Sequence, residues 1–422
     1  MGLATLGQMT GRNAALARAR ATGLAMALAV AFATEARAIE PLRVDPDVTA
    51  YHKLGALYWQ PSLSLRDVGY DDNLFLTSPS APASSDLTYT IAPQARLFAG
   101  AGRRATVLAT GNLSYTSYDR HSEESFFAGG GSGRGDYYLA HWDLYAGTDY
   151  MTTRVRPTDD THLRPRRVDQ SLTFGARLVR AERLSLNLYG LEDDTAYRED
   201  DPAGTFNFRE RLNRKERAAG AALAYRVGRK TDLAVEAEAR DYDFTDGAAL
   251  TPLVRSRKVA AGLDWQPGGR ISTRLRAGAM RFDPEDLPGQ SFDGAVWSAT
   301  AYVRLFPRLA VSLSGGRDVW LSAFENDLFG LATRGAIAFT SPLTRKVGAE
   351  LGGEYYRARY SDRAALPVAR RDHVSRVYAG GRYRFSDQTS VALRVTHFLR
   401  NSNLDDQDSE ENLASASMEW LF

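Results

Sequence analysis

The sequence predicts an all-β fold, a transmembrane antiparallel up-and-down β-barrel of about eighteen strands, or about sixteen if one glycine-rich segment fails to pair. Three observations predict it. Apolar and polar residues alternate with period two over runs of about ten residues, and such runs recur along the chain. The connections alternate between short turns and long polar stretches. Beyond residue 38 no segment approaches the ~20 apolar residues of a membrane helix. The composition, 44% hydrophobic and 25% charged with a net charge of +2, suits a barrel, because only alternate residues of each strand meet lipid.

At the N-terminus, Arg12, Arg18 and Arg20 precede the apolar run ATGLAMALAVAFA, and Ala-Arg-Ala at 36–38 has the small-x-small form of a signal-peptidase site. Residues 1–38 therefore read as a cleaved signal peptide, 39–58 as a short periplasmic segment and 59–422 as the barrel, integral to a bacterial outer membrane. The chain has no cysteine, which excludes disulfides and lipid attachment through a thiol. With the first strand starting so soon after the cleavage site, no plug domain is expected.

Strand cores fall at 59–69, 86–98, 104–118, 124–136, 142–155, 169–180, 184–197, 216–228, 232–245, 256–266, 271–282, 293–306, 309–322, 330–341, 346–360, 372–385, 389–400 and 411–422. In TDLAVEAEARDYDF, Leu233, Val235, Ala237 and Ala239 alternate with Glu236, Glu238, Arg240 and Tyr242. In ISTRLRAGAM, Ile271, Leu275, Ala277 and Ala279 oppose Ser272, Arg274 and Arg276. Trp297, Ala299, Ala301, Val303 and Leu305 oppose Ser298, Thr300, Tyr302 and Arg304 in the same way. The poorest pattern is FFAGGGSGRGD, and Pro93 inside TIAPQARL, which cannot donate to a ladder, predicts a bulge there.

Turns such as VGRKT, QPGGR and FSDQT alternate with long stretches such as YDDNLFLTSPSAPASS and NSNLDDQDSEEN, so the short connections are read as periplasmic. Trp59, Trp142, Trp265 and Trp420 then fall at periplasmic strand ends, and Trp297 and Trp320 at extracellular ones, as expected for interfacial rings. The turns carry Arg103, Arg104, Arg229, Lys230, Arg270, Arg308, Arg345 and Lys346, while Glu192, Asp193, Asp194, Asp405, Asp406 and Asp408 are assigned to the long loops. The last strand carries Met418, Trp420 and Phe422 on one face. This pattern resembles the signal by which the outer-membrane barrel assembly machinery recognises its clients. The same strand must pair with the first to remove the sheet edges.

The stretch GYDDNLFLT at 69–77, with its Tyr-Asp-Asp-Asn, apolar, Phe core, followed by IAPQARL, resembles the start of the β-barrel porin 2 family of Gram-negative outer-membrane proteins. The likeness runs from about residue 58 to 422, and the glycine-rich fourth segment departs from the family's pattern. The resemblance implies a passive conduit, with some members associated with exopolysaccharide secretion alongside alginate-type export barrels. Asp71, Asp72 and Asn73 read as an Asx-type turn at the head of a loop in preference to a divalent-cation site, which needs six or more oxygen ligands.

A barrel of this size is roughly 35 Å across, too wide for side chains to fill. Its polar face carries Arg240, Arg274, Arg276, Arg304, Arg334, Arg376, Arg382 and Arg394, with Arg96, Arg177, Arg226 and Arg384, against Glu236, Glu238, Asp264, Asp318, Glu350 and Glu354. This excess of arginine suggests a wall that attracts anions, although lumenal acids could pair with it. The six histidines show no metal-ligand spacing, and neither a phosphate loop nor a nucleic-acid patch appears. The reading is therefore a channel, not an enzyme, with no cofactor. Export of an acidic exopolysaccharide is its leading assignment. The alternatives are a general diffusion porin for small anions or sugars, or a surface-binding barrel closed by its loops. The expected partners are outer-membrane lipids and lipopolysaccharide, the assembly machinery, the polysaccharide and periplasmic export components, but no nucleic acid.

Overall fold

Alternation with a strict period of two leaves a chain one way to bury its backbone polar groups in lipid, a sheet without edges. The computed structural model describes residues 52–102, 104–158, 161, 163–178, 183–200, 208–245, 253–285, 291–322, 328–361, 369–404 and 407–422, and these build such a sheet. A three-residue arm, β1 (His52–Leu54), folds against β2 (Leu57–Asp71). The wall continues through β3 (Asp86–Ala101), β4 (Ala105–Tyr118), β5 (Phe126–Tyr138), β6 (Trp142–Arg154), β7 (Arg166–Leu178), β8 (Leu184–Tyr197) and β9 (Arg214–Gly228). It goes on through β10 (Thr231–Phe244), β11 (Val254–Gly268), β12 (Ile271–Pro284), β13 (Phe292–Phe306) and β14 (Leu309–Leu321). It is completed by β15 (Phe329–Pro342), β16 (Val347–Tyr360), β17 (Arg371–Arg384), β18 (Thr389–Ser402) and β19 (Ser409–Leu421). A short helix, α1 (Phe208–Leu212), lies in the connection from β8 to β9.

Every neighbour is antiparallel, and β19 returns to β2, so β2 to β19 form a closed up-and-down barrel of eighteen strands. The glycine-rich segment is fully paired as β5, which removes the smaller count. Its Gly129, Gly131, Gly133 and Gly135 occupy the outward positions, so the alternation is present but silent in hydropathy. The expected bulge is not at Pro93. The register from β3 to β4 runs through Pro93 unshifted, and the extra residue sits at Asp67 in β2, where φ is 55° and pairing steps from Arg66 to Gly69. The barrel bends where it closes, at the seam between its first and last long strands.

Leu233, Val235, Val259, Leu275, Leu313, Leu351 and Leu393 stand exposed on the outer wall, as a lipid-facing band requires. Trp59, Trp265 and Trp297 are exposed there too, and Trp142 and Trp420 share outward positions through Leu178 and Leu63. Trp320 does not: it lies on the inner parity and stacks edge-on against Tyr360 at 5.5 Å. Glu192, Asp193 and Asp194 belong to the outer end of β8, not to a loop. The signal-peptide assignment, Arg103, Asp405 and Asp406 lie outside the described residues.

Candidate functional site

The register that turns leucines outward turns the ten proposed path residues inward. Glu236, Glu238 and Arg240 alternate on β10, Arg274 and Arg276 on β12, and Arg304 faces the same way on β13. Arg334 on β15, Arg376 and Arg382 on β17 and Arg394 on β18 complete the set.

The first sector, β8 to β12, is a ladder of forked ion pairs. Arg276 donates to Glu236 at 2.5 Å and with both Nη atoms to Asp264 at 2.8 and 3.0 Å, while Arg274 lies 3.4 Å from the same carboxylate. Arg240 bridges Glu216 at 2.9 Å and Glu238 at 3.2 Å, and Tyr189 donates to Glu238 at 2.8 Å. Below them Arg226 meets Asp232 at 2.9 Å. A second ladder spans β16 to β19: Arg394 donates to Glu350 and lies over the Tyr378 ring, Arg376 sits 3.5 Å from Glu354, and Arg382 sits 3.9 Å from Glu419. Between the ladders, β3 to β5 present hydroxyls, paired as Thr90 with Thr116 at 2.9 Å and Thr110 with Ser132 at 2.6 Å.

Read over the whole register, the inner face carries about as many carboxylates as cations. The apparent arginine excess dissolves because Asp136, Asp143, Asp149, Asp169, Glu216 and Asp232 also point inward. Pairing, however, is unequal. Each of Asp232, Glu236, Glu238, Asp264, Glu350 and Glu354 meets an arginine. Among the described residues, Arg66, Arg96, Arg304 and Arg384 face the lumen with no ion-pair partner, and the Arg66 Nε is buried without an acceptor. Arg66 was absent from the sequence-based set because the Asp67 bulge inverts the alternation around it.

The second feature the alternation could not reveal is a loop folded into the mouth. After β2 the motif GYDDNLFLT turns inward. The Asn73 N–H donates to Asp71 Oδ1 at 3.0 Å, an Asx turn, and Asp72 accepts from the Asn412 side chain at 2.8 Å. Leu74 and Leu76 are buried, Leu76 against the inward-facing Val374 and Phe398. From the other side Arg164 donates to the Leu74 carbonyl at 2.7 Å and to the Tyr118 hydroxyl at 2.7 Å, and Arg156 also donates to that carbonyl. The loop after β2 is thus fastened to β17 and β18 on one side and to the loop after β6 on the other. The inner face near the outer end of β10 to β13 is apolar as well, with Phe244, Val254, Met280, Phe282 and Val296 buried in one cluster. The described histidines at the strand ends bond Asp86, Tyr355 and Asn412.

No family model matches the chain, and neither does any curated protein. Solved structures do. A BenF-like porin from Pseudomonas fluorescens Pf-5 superposes with a TM-score of 0.53 at 10% identity, over 86% of this chain and 99% of that one. OccAB3 of Acinetobacter baumannii gives 0.50 at 10% identity, over 86% and 99%. OccK2 (OpdF) of Pseudomonas aeruginosa, solved in complex with glucuronate, gives 0.50 at 12% identity, over 86% and 98%. At such identities the likeness is one of fold: this chain is a porin-type β-barrel. The link to exopolysaccharide-export barrels finds no counterpart among these structures.

Proposed function

We propose that the chain is a passive outer-membrane channel for small anionic solutes, carboxylates first among them. The observation that carries this reading is the set of lumenal arginines without a carboxylate partner, Arg66, Arg96, Arg304 and Arg384, in a wall whose acids are bonded to cations. Paired charges cancel at a distance, so the unpaired ones set the sign of the field that a solute meets. An arginine fork binds a carboxylate in a bidentate contact weak enough to release it in water. The hydroxyls on β3 to β5 are suited to a solute's own hydroxyl groups.

Size separates this reading from polymer export. The loop after β2 and the loop after β6 meet inside the mouth, which favours a compact solute over a continuous chain. OccK2, a barrel of the same fold, was solved with glucuronate, a small sugar acid, and that supports the small-anion reading over the export assignment suggested by the sequence. The outward row Met418, Trp420 and Phe422 remains our proposed assembly signal.

The test is the reversal potential of the refolded chain, residues 39–422, across a planar bilayer with a salt gradient. Anion selectivity is expected, and exchanging the four arginines for glutamine should bring the potential close to zero. Cation selectivity of the unaltered protein would overturn the proposal.

A further inference from the structure

Basic side chains also stand on the outer wall, near the long-loop ends of the strands, and their surroundings divide the barrel in two. From β7 to β12 they are neutralised in place. Arg166 lies 3.3 Å from Glu199, Arg217 3.2 Å from Glu192, Arg255 2.7 Å from Glu285, Arg257 3.3 Å from Asp241 and Arg281 3.1 Å from Asp283. From β14 to β17 they are not. Arg317, Arg357, Arg359 and Arg371 have no carboxylate within ion-pair distance among the described residues, and the Arg357 Nε is buried with no acceptor.

These four are neighbours. One row of directly opposed residues runs across five strands as Trp297, Arg317, Thr333, Arg357 and His373. Just above it Arg359 stands directly opposite Arg371. Like charges facing each other across a ladder repel, and a fold keeps such a pair at a cost unless an anion lies between them. The row shares its outward parity with the exposed rings of Trp297 and Tyr355, which mark the edge of the apolar band. Its cations therefore sit at the depth where the outer leaflet ends and phosphate begins.

We infer that the outer face of β14 to β17 binds the phosphate of a phosphorylated glycolipid of the outer leaflet, with Arg359 and Arg371 clamping the anion and Arg317 and Arg357 extending the site along the row. Guanidinium forks match phosphate oxygens in geometry and charge, and a phosphate placed there relieves the Arg359–Arg371 repulsion. The acyl chains of the same molecule would lie along the exposed Leu313, Ile337 and Leu351 below it. The inference needs the barrel to stand in an outer membrane with its long loops outward. It does not need the barrel to conduct, so a failed selectivity experiment leaves it standing.

The experiment adds bis-phosphorylated lipid A to the purified barrel in detergent and follows lipid retention by native mass spectrometry beside the unfolding temperature. The unaltered protein should retain the lipid and unfold at a higher temperature. The variant R317Q/R357Q/R359Q/R371Q should lose about tenfold or more in retention, with unchanged single-channel conductance showing that it is folded. The single exchange Arg359→Gln should raise the unfolding temperature of the lipid-free barrel, by removing the repulsion, and yet weaken retention. Equal retention by the quadruple variant would overturn the proposal, as would equal retention of dephosphorylated lipid A. Inorganic phosphate giving the full thermal shift at the same concentration would refute the lipid as the source of the anion.

Discussion

Asn73 makes four side-chain hydrogen bonds at the head of the first loop. Its Oδ1 accepts from the Thr77 N–H at 2.9 Å and the Thr77 hydroxyl at 3.0 Å, and its Nδ2 donates to the carbonyls of Thr77 at 3.0 Å and Glu410 at 2.8 Å. It therefore ties the loop to itself and to β19 at once. Asn73→Ala leaves those groups without partners, a loss of about 2–3 kcal/mol, and the loop should leave the mouth. Single-channel recordings should show a higher conductance. At the seam, Gly69 faces the backbone of β19 so closely that a Cβ would overlap the Ala414 carbonyl oxygen and come within 2.8 Å of the Ser415 Cα. Gly69→Val should keep the first and last long strands from pairing, so that heat-modifiability gels of the refolded protein show little compact form.

Single strands explain which parts of the molecule were legible beforehand. The cores of β10, β12 and β13 were readable because leucine, valine or tryptophan filled one parity and charge the other. In β5 four outward glycines erased the contrast, and in β2 the Asp67 bulge reversed it halfway along. The same strict reading of polar parity missed Met280, Phe282 and Val296, which face inward but pack against one another near the outer mouth. Partnering was not legible at all, because whether an inward arginine meets a carboxylate depends on neighbouring strands' register. The outer tip of β3 shows how an element end is held. Asp86 lies several residues beyond the ten or so that a strand needs to cross the bilayer. Its buried carboxylate accepts from the N–H groups of Leu87, Asp119, Arg120 and His121 at 2.7, 3.0, 3.0 and 2.9 Å and contacts the His121 ring at 2.8 Å. Burial alone would raise its pKa, but these bonds outweigh it and hold the group down at about 2, against an ordinary 3.8. A depressed carboxylate contributes stability above its unfolded pKa and loses it as pH falls through the folded one. About 2 kcal/mol should therefore be present above roughly pH 4 and vanish toward roughly pH 2. Asp86→Asn should remove that slope from the acid limb of unfolding curves measured in detergent.

For the molecule as a whole, the balance between paired and unpaired charge makes a statement about ionic strength. A lumen lined by ion pairs at 2.5–3.5 Å presents solutes with short-range dipoles, whereas an isolated arginine acts over a Debye length. That length is about 10 Å at 0.1 M salt and about 3 Å at 1 M. In a barrel roughly 35 Å across and narrowed at its mouth by the loop after β2, four unpaired arginines cover much of the open section at the lower salt and little at the higher. Anion selectivity should therefore be pronounced at about 0.1 M salt and largely lost by about 1 M, while conductance keeps rising with carrier concentration. Reversal potentials taken at a fixed salt ratio over that range measure the loss directly. A selectivity that did not change with salt would mean that the paired ladders discriminate by direct contact, and that the unpaired arginines are not what an entering solute senses.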